Sequence, residues 1–476
     1  MLGAFWRHRL PPLLRFGCLL LIAAKANGQV LRIDIDEALL RARRNHDALH
    51  YAKLQYEIDA ARYRLSARSF FPDITLGYTQ EDAVVYYGPD SHLKRLSVGV
   101  DQLIYAGGVR AQQRRALSNR LLVLRHEIER MESDLNREIV SRYIEILKSS
   151  LQIEILEENL ANGRDQLAIA AEEMQLGEIT ALDHVEIELA VQDLEIELAL
   201  LKQEGNRQAH ELKELLGIGA ECSLELIGAI NADFRGMLEV EEEQFYVERA
   251  GRSSPDLAQR EVEINALYAN VQQARRLWLP KVSTQVELSV AGEQFPLTTP
   301  GFSVGLNLDF DTPVLPLRAG ITAGSAEEGE RSLGTTSYAS PGTNLEGLRS
   351  VRVARLELAK GESGMRSYRR KLEYSVRQQY RSRCRALDIL RLEERRLELQ
   401  ARRYAIEALM LEMGETTRLE HLQSGVELAR RRIEQLSRIV SLFHLEADLL
   451  DMCGPEMMKD IHNHILIPAR SAERED

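Results

Sequence analysis

The sequence predicts a mainly α-helical chain with a membrane β-barrel part, written as a duplicated unit of strand hairpin plus long helical hairpin. Three observations carry this. A helix-closing motif, Leu65-Ser66-Ala67-Arg68-Ser69-Phe70-Phe71-Pro72, recurs as Gln273-Ala274-Arg275-Arg276-Leu277-Trp278-Leu279-Pro280, 208 residues later. After each proline the apolar period changes from 3.6 to 2, the change from helix to half-buried strand. Each strand pair is then followed by a proline-free helical tract too long to fold into a single globule.

The N-terminus has Arg7, Arg9 and Arg15, then the apolar Cys18–Ala24, then Ala26-Asn27-Gly28. A basic region, a short apolar core and small residues before a cut predict a signal peptide over 1–28. The apolar run is well short of the roughly 20 residues that a spanning helix needs. Removing the leader takes three arginines and Lys25 but no acid, so the net charge moves from −12 to −16. That balance argues against nucleic acid, which demands a cationic stripe. Only 13 prolines, 6% aromatic and 28% charged residues suit long solvated helices. Cys222, Cys384 and Cys453 form neither a disulfide framework nor a zinc pattern and read as small buried hydrophobes.

The first repeat, 29–220, opens with a helix from Asp36 to Arg68, broken near Asn45–Asp47. A β-hairpin over 73–106 follows. Ile74, Leu76 and Tyr78 alternate with Thr75, Gly77 and Thr79, and Leu96, Val98 and Val100 with Ser97, Gly99 and Asp101. Gly107-Gly108 ends it. Leu121, Leu124, Ile128, Met131 and Leu135 then begin a rod over 109–176, on the order of 100 Å long at 1.5 Å per residue. It turns at a tip near 177 and returns from Leu182 to Leu216. The second repeat, 221–455, has its own helix, a β-hairpin over 281–310 and a rod over 348–413. It turns at a tip near 414 and returns from Leu419 to Cys453. Between strand and rod, 311–347 is rich in Gly, Ser, Thr and Pro and reads as an irregular loop; the polar tail 456–476, like that loop, is expected to be poorly ordered. The offset grows from 208 at the prolines to 237 at the glycines, so 29 residues were added in that stretch.

Strands of this length and alternation cross a bilayer when tilted, but four of them cannot close a barrel. Open edges are not tolerated in hydrocarbon, so other copies of the chain must complete the sheet. Tyr86, Tyr87 and Tyr105 near strand ends read as an interfacial girdle, with packing in a soluble barrel as the alternative. Gly177-Glu178-Ile179-Thr180-Ala181-Leu182-Asp183-His184 recurs as Gly414-Glu415-Thr416-Thr417-Arg418-Leu419-Glu420-His421. In this order and duplication, the proline-before-strand and paired turns resemble the TolC-type outer-membrane efflux protein family, over residues 33–455. The resemblance implies a homotrimer in which each copy gives four strands to a twelve-stranded barrel in outer-membrane lipid. An α-barrel tunnel through the periplasm continues it, and a periplasmic adaptor protein and an inner-membrane pump dock at the far end. Small molecules or polypeptides would leave through this passive duct, in a tripartite efflux pump or type I secretion system.

The resemblance places Leu176, Gly177, Glu178, Met413, Gly414 and Glu415 at the adaptor-facing tips, and Asp183 and Glu420 near the pore constriction, beside Gln423 and Arg418. Gln423 stands where the family pattern has a second aspartate, and Thr416 where it has an arginine. Threefold symmetry would turn each acid into a cation-favouring ring. Read alone, the same acids are solvated first-turn charges complementing the helix dipole. His184 and His421 repeat without partners at ligand spacing, so no metal site is expected. No nucleophile elbow, phosphate loop, zinc-protease or dinucleotide motif occurs, so neither an enzyme nor a cofactor is expected. A periplasmic coiled-coil structural or adaptor protein is the alternative. It needs one helical hairpin between small β-domains, where this chain has two hairpins and bilayer-length strands.

Overall fold

The computed structural model describes residues 30–467, except 84–90, 220, 239–241, 277–278, 311, 313, 326–330, 342–345, 455 and 459–460. The leader 1–28, Tyr86, Tyr87, Leu277, Trp278, Pro455 and the last residues of the tail lie outside them.

A short strand β1 (Val30–Ile33) leads into α1 (Ile35–Asn45) and α2 (Asp47–Ser66). The helical pattern breaks at His46 because its imidazole accepts from the Leu49 N–H at 3.2 Å and starts a new helix. One 3-10 turn, Ala67–Phe70, ends at Pro72, which has no N–H to continue a helix. Strands β2 (Asp73–Ala83) and β3 (Ser91–Ala106) follow, then the rods α3 (Val109–Leu176) and α4 (Ala181–Leu216). The short strands β4 (Ser223–Leu226) and β5 (Ala229–Ile230) and helices α5 (Glu243–Ser253) and α6 (Pro255–Arg275) lead to the second repeat's strands. These are β6 (Lys281–Gly292) and β7 (Thr299–Phe310).

Here the structure corrects the sequence reading. Residues 311–347 are not simply a loop: they hold β8 (Leu317–Ser325) and β9 (Arg331–Ala339). Leu317, Ala319, Ile321 and Ala323 alternate with Arg318, Gly320, Thr322 and Gly324, a strand pattern written in small residues. The described sheet therefore has six strands from one chain rather than four, in the order β2-β3-β6-β7-β8-β9, every neighbouring pair antiparallel. The chain then runs into the rods α7 (Glu346–Glu412) and α8 (Arg418–Cys453), and ends in α9 (His462–Ile465) and β10 (Leu466–Ile467). The described part of the tail is also ordered rather than loose. Ile461, Ile465 and Leu466 are buried, and β10 pairs with β5, because these apolar residues find a core that sequence distance concealed.

The two repeats keep two constant offsets. Strands β2 and β6 begin at 73 and 281, and β3 and β7 at 91 and 299, each 208 apart. The helices α3 and α7 begin at 109 and 346, and α4 and α8 at 181 and 418, each 237 apart. The change between offsets falls entirely where β8 and β9 stand.

The main core lies where α1, α3, α5, α7 and α8 meet the two small sheets, β1 with β4 and β5 with β10. Ile33, Ile139, Tyr143, Phe234, Tyr246 and Phe443 are buried there, and the Tyr143 hydroxyl donates to the Ile227 carbonyl at 2.6 Å. A second cluster, with Leu156, Leu160, Ile187, Val191, Leu194 and Leu422, binds α3, α4 and α8 toward the tips. Among the described residues, no helix is long and apolar enough to cross a membrane.

Candidate functional site at the helical tips and flanks

Both tips are built alike. Gly177 and Gly414 take left-handed backbone angles, φ 76° and 75°, which side-chain-bearing residues rarely adopt. The Gly177 N–H donates to the Met174 carbonyl at 3.1 Å and Glu178 N–H to Glu173 at 2.9 Å. Gly414 N–H donates to Leu411 at 3.0 Å and Glu415 N–H to Met410 at 2.9 Å. These bonds satisfy carbonyls left open at each helix end. Leu176, Gly177, Glu178, Met413, Gly414 and Glu415 are all exposed, at the ends of the two rods.

Each return helix starts with a reciprocal cap. The Asp183 N–H donates to the Thr180 hydroxyl at 3.2 Å, while the Thr180 N–H donates to the Asp183 carboxylate at 3.0 Å. Glu420 and Thr417 repeat this at 3.2 and 3.1 Å, and the Thr416 hydroxyl adds a bond to Glu420 at 2.6 Å. Both acids are exposed, and both are held below the ordinary carboxylate range. The Thr180 hydroxyl lowers Asp183 first and the Thr416 hydroxyl lowers Glu420 first, each helped by a backbone N–H. So these acids stay charged at neutral pH and have a local job, closing the capping box.

Arg418 has a different setting. It is half-buried, and its guanidinium grips Glu173 on α3 with two bonds, 2.7 Å from Nε and 2.5 Å from Nη2, and donates to Gln166 at 3.0 Å. The Arg418 guanidinium in turn holds Glu173 below the usual carboxylate range. This pair fastens the second hairpin's return helix to the first hairpin's outgoing helix. Sequence reasoning nominated Arg418 and missed Glu173 and Gln166. One repeat earlier Arg418 corresponds to Ala181, and one repeat later Glu173 corresponds to Met410, so opposite charges appear once where the duplication offers two places. Gln423 is exposed on α8, and Arg430 reaches Glu197 on α4 at 3.4 Å. His184 is half-buried, whereas His421 is buried and stacks on Tyr404 with ring centres 4.9 Å apart. Burial pushes His421 below the ordinary histidine range, against the upward pull of Glu407.

The flanks show a second kind of site. The long helices pack in the order α4–α3–α8–α7, which leaves α4 and α7 outermost. On α4, Leu182, Leu189 and Ile196 recur every seven residues; on α7, Leu392, Leu399 and Ile406 do the same. These six side chains are 56–67% exposed. A heptad stripe of leucine and isoleucine is what one helix presents to another in a coiled coil. The sheet is open in the same way, with exposed Ile74 and Leu76 on edge strand β2 and Leu333 on edge strand β9. Tyr105 lies exposed on β3 near its helical end.

No family model matches the sequence. The chain is 23% identical over 427 residues to the pyoverdine export outer membrane protein OpmQ of Pseudomonas putida, covering 86% of this chain and 85% of the relative. Its fold is similar to that of CusC, solved in conformations accompanying folding and transmembrane channel formation. The TM-score is 0.71 at 15% identity, over 91% of this chain and 95% of that one. The open state of the Neisseria gonorrhoeae MtrE outer membrane channel is similar with a TM-score of 0.70 at 12% identity, over 90% of each chain.

Proposed function

We propose that this chain, whose fold and sequence likeness are those of the TolC-type outer-membrane channels, is the exit duct of a tripartite export system and works as a homotrimer. It is an outer-membrane protein with its helical part in the periplasm, and it is not an enzyme. One observation supports the trimer above the rest. Each chain leaves an apolar heptad stripe on both outer helices and an open edge on both sides of its sheet. A ring of copies covers all four at once, with α7 of one copy against α4 of the next. A periplasmic coiled-coil adaptor would cover the stripes but has no use for bilayer-length strands with apolar outward faces.

In this reading the exposed tips meet a periplasmic adaptor through Leu176, Gly177, Glu178, Met413, Gly414 and Glu415, and an inner-membrane pump supplies the energy. Asp183, Glu420 and Gln423 then line the constriction as threefold sets, and carboxylate rings favour cations. The relative named for pyoverdine export supports export as the task, small molecules or polypeptides being the cargo.

The test is assembly in detergent. The purified protein should come from the outer-membrane fraction as a trimer by light scattering; a soluble monomer released by osmotic shock would sink the duct reading. Reversal potentials in planar bilayers test the rings. Asp183→Asn with Glu420→Gln should reduce cation preference, and unchanged selectivity would leave these acids as helix caps alone.

A further inference from the structure

We propose that the trimer closes an eighteen-stranded barrel, three copies giving six strands each, in place of the twelve that the family resemblance implies. The inference rests on the trimeric reading above.

The extra hairpin has the dimensions and the faces of a membrane stave. Strands β8 and β9 are nine residues each, the length that spans hydrocarbon when tilted. Register carries the outer face of the sheet across them, apolar on β8 through Leu317, Ala319, Ile321 and Ala323 and mixed on β9, where Leu333 and Ala339 share the face with Arg331, Thr335 and Ser337. Val304 stands opposite Ala323 and Ala323 opposite Leu333; Leu306 stands opposite Ile321, and Phe310 opposite Leu317. The other face is small and polar. Gly305, Thr322 and Gly334 share one row, and Asn307, Gly320 and Thr336 the next. Toward the helical end of that face, Arg318 bridges β7 and β9. Its Nε lies 3.4 Å from the Asp309 carboxylate, and its Nη1 donates to the Tyr338 hydroxyl at 2.9 Å. An arginine held from both sides ties the hairpin into the sheet.

Strand pairing then decides who meets whom. Both edges of β7 are taken, one by β6 and one by β8, so β7 has none left for a neighbouring copy. The open edges belong to β2 and β9. With six strands in strict antiparallel order, β9 of one copy runs antiparallel to β2 of the next, and alternation continues unbroken around the ring. Charge fits as well. Arg331 begins β9 at the end away from the helices, and Glu81 and Asp82 lie near that same end of β2. Closure is obligatory in lipid, because each unpaired backbone group there costs several kcal/mol.

Barrel diameter grows roughly in proportion to strand number, so the ring would be about half again as wide as a twelve-stranded one. The added inward residues, mostly Gly, Ser and Thr, would not fill the added space. Four long helices per copy are unchanged, so the widening is confined to the membrane part, above the helical constriction.

Cysteine pairing tests the arrangement in the assembled trimer. Thr335→Cys or Ser337→Cys on β9, combined in turn with Ile74→Cys, Leu76→Cys or Tyr78→Cys on β2, should give a covalent trimer under oxidation on denaturing gels. Val304→Cys or Leu306→Cys on β7 with the same β2 set should not. Trimers cross-linked through β7 and not through β9, or an image of the particle in nanodiscs with twelve staves, would overturn the proposal while leaving the duct reading intact. A monomer in detergent would remove the duct reading itself. Excising residues 315–343, the 29 residues between the two offsets, should leave a trimer of twelve strands. Its barrel should exclude polyethylene glycols, added from the outer face, that enter the full-length one; an unchanged cutoff would count against the wider ring.

Discussion

The two repeats agree at the turns of their helical tips and differ in side-chain contacts that hold distant elements together. Glycines with the same left-handed angle end both outgoing rods, and threonine–acid capping boxes begin both return rods. Yet Arg418 grips Glu173 where the first repeat has Ala181, and the buried pair Arg383–Glu446 stands where the first repeat has Ile146 and Ala209. The hairpin β8–β9 likewise has no counterpart. Duplication thus preserved the local chemistry that turns each hairpin, and specialisation went into contacts between residues distant in the chain, 245 apart for Arg418 and Glu173 and 63 apart for Arg383 and Glu446.

The largest expected effect comes from the buried pair. Arg383 and Glu446 are 8% and 0% exposed and 2.7 Å apart, and Glu446 also accepts from the Met237 N–H at 2.6 Å. Glu446→Ala leaves a buried guanidinium without its partner and should destabilise the fold by about 3–5 kcal/mol. Denaturant midpoints of the detergent-solubilised protein check this. A variant with the wild-type midpoint would mean that the second repeat needs the charge pair no more than the first does.

Next is the latch. Arg418→Ala removes a charged, two-pronged hydrogen bond between hairpins, a contact of about 1.5–3 kcal/mol. Because it joins α8 to α3 next to the tip, its loss should show in planar bilayers as a raised open probability. Conductance indistinguishable from wild type would make the latch a packing detail. A smaller change compares the shared caps. Thr180→Ala and Thr417→Ala should each cost about 1 kcal/mol, and by similar amounts, since both threonines accept from the third helical N–H. Unequal losses would show that Thr416, which also bonds Glu420, stands in at the second tip.

These contrasts mark what the sequence could disclose. Tip turns were legible because glycine, threonine and acid act within a few residues of one another. Rods and large-residue strands were legible because their periods survive in Leu, Ile, Val and Phe. Strands β8 and β9 were hidden because Gly, Ala, Ser and Thr occupy their alternating positions, a composition that also describes loops. Ile461, Ile465 and Leu466 were hidden for a different reason: their partners in the core lie far away in the chain. Arg418 was visible as a departure from its twin, but Glu173 sits 245 residues earlier, beyond any local pattern.

Acid gives the finest test of the difference between the tips. The Arg418 guanidinium holds the folded Glu173 below the ordinary carboxylate value, so the latch contributes its full stability above that ordinary value. As pH falls through the lowered folded value, Glu173 takes up a proton and the contribution disappears. Bilayer recordings should therefore show wild-type openings becoming more frequent below about pH 4.5, near the unperturbed carboxylate value. Arg418→Ala should already be open-prone at neutral pH and change less across the same range. Asp183 and Glu420 are also held low, by Thr180 and Thr416, but both capping boxes are present in both proteins, so whatever acid does to them cancels in the comparison. A variant that keeps the wild-type acid response would move the pH sensitivity from the latch to the caps, and so from the feature that separates the repeats to the one they share.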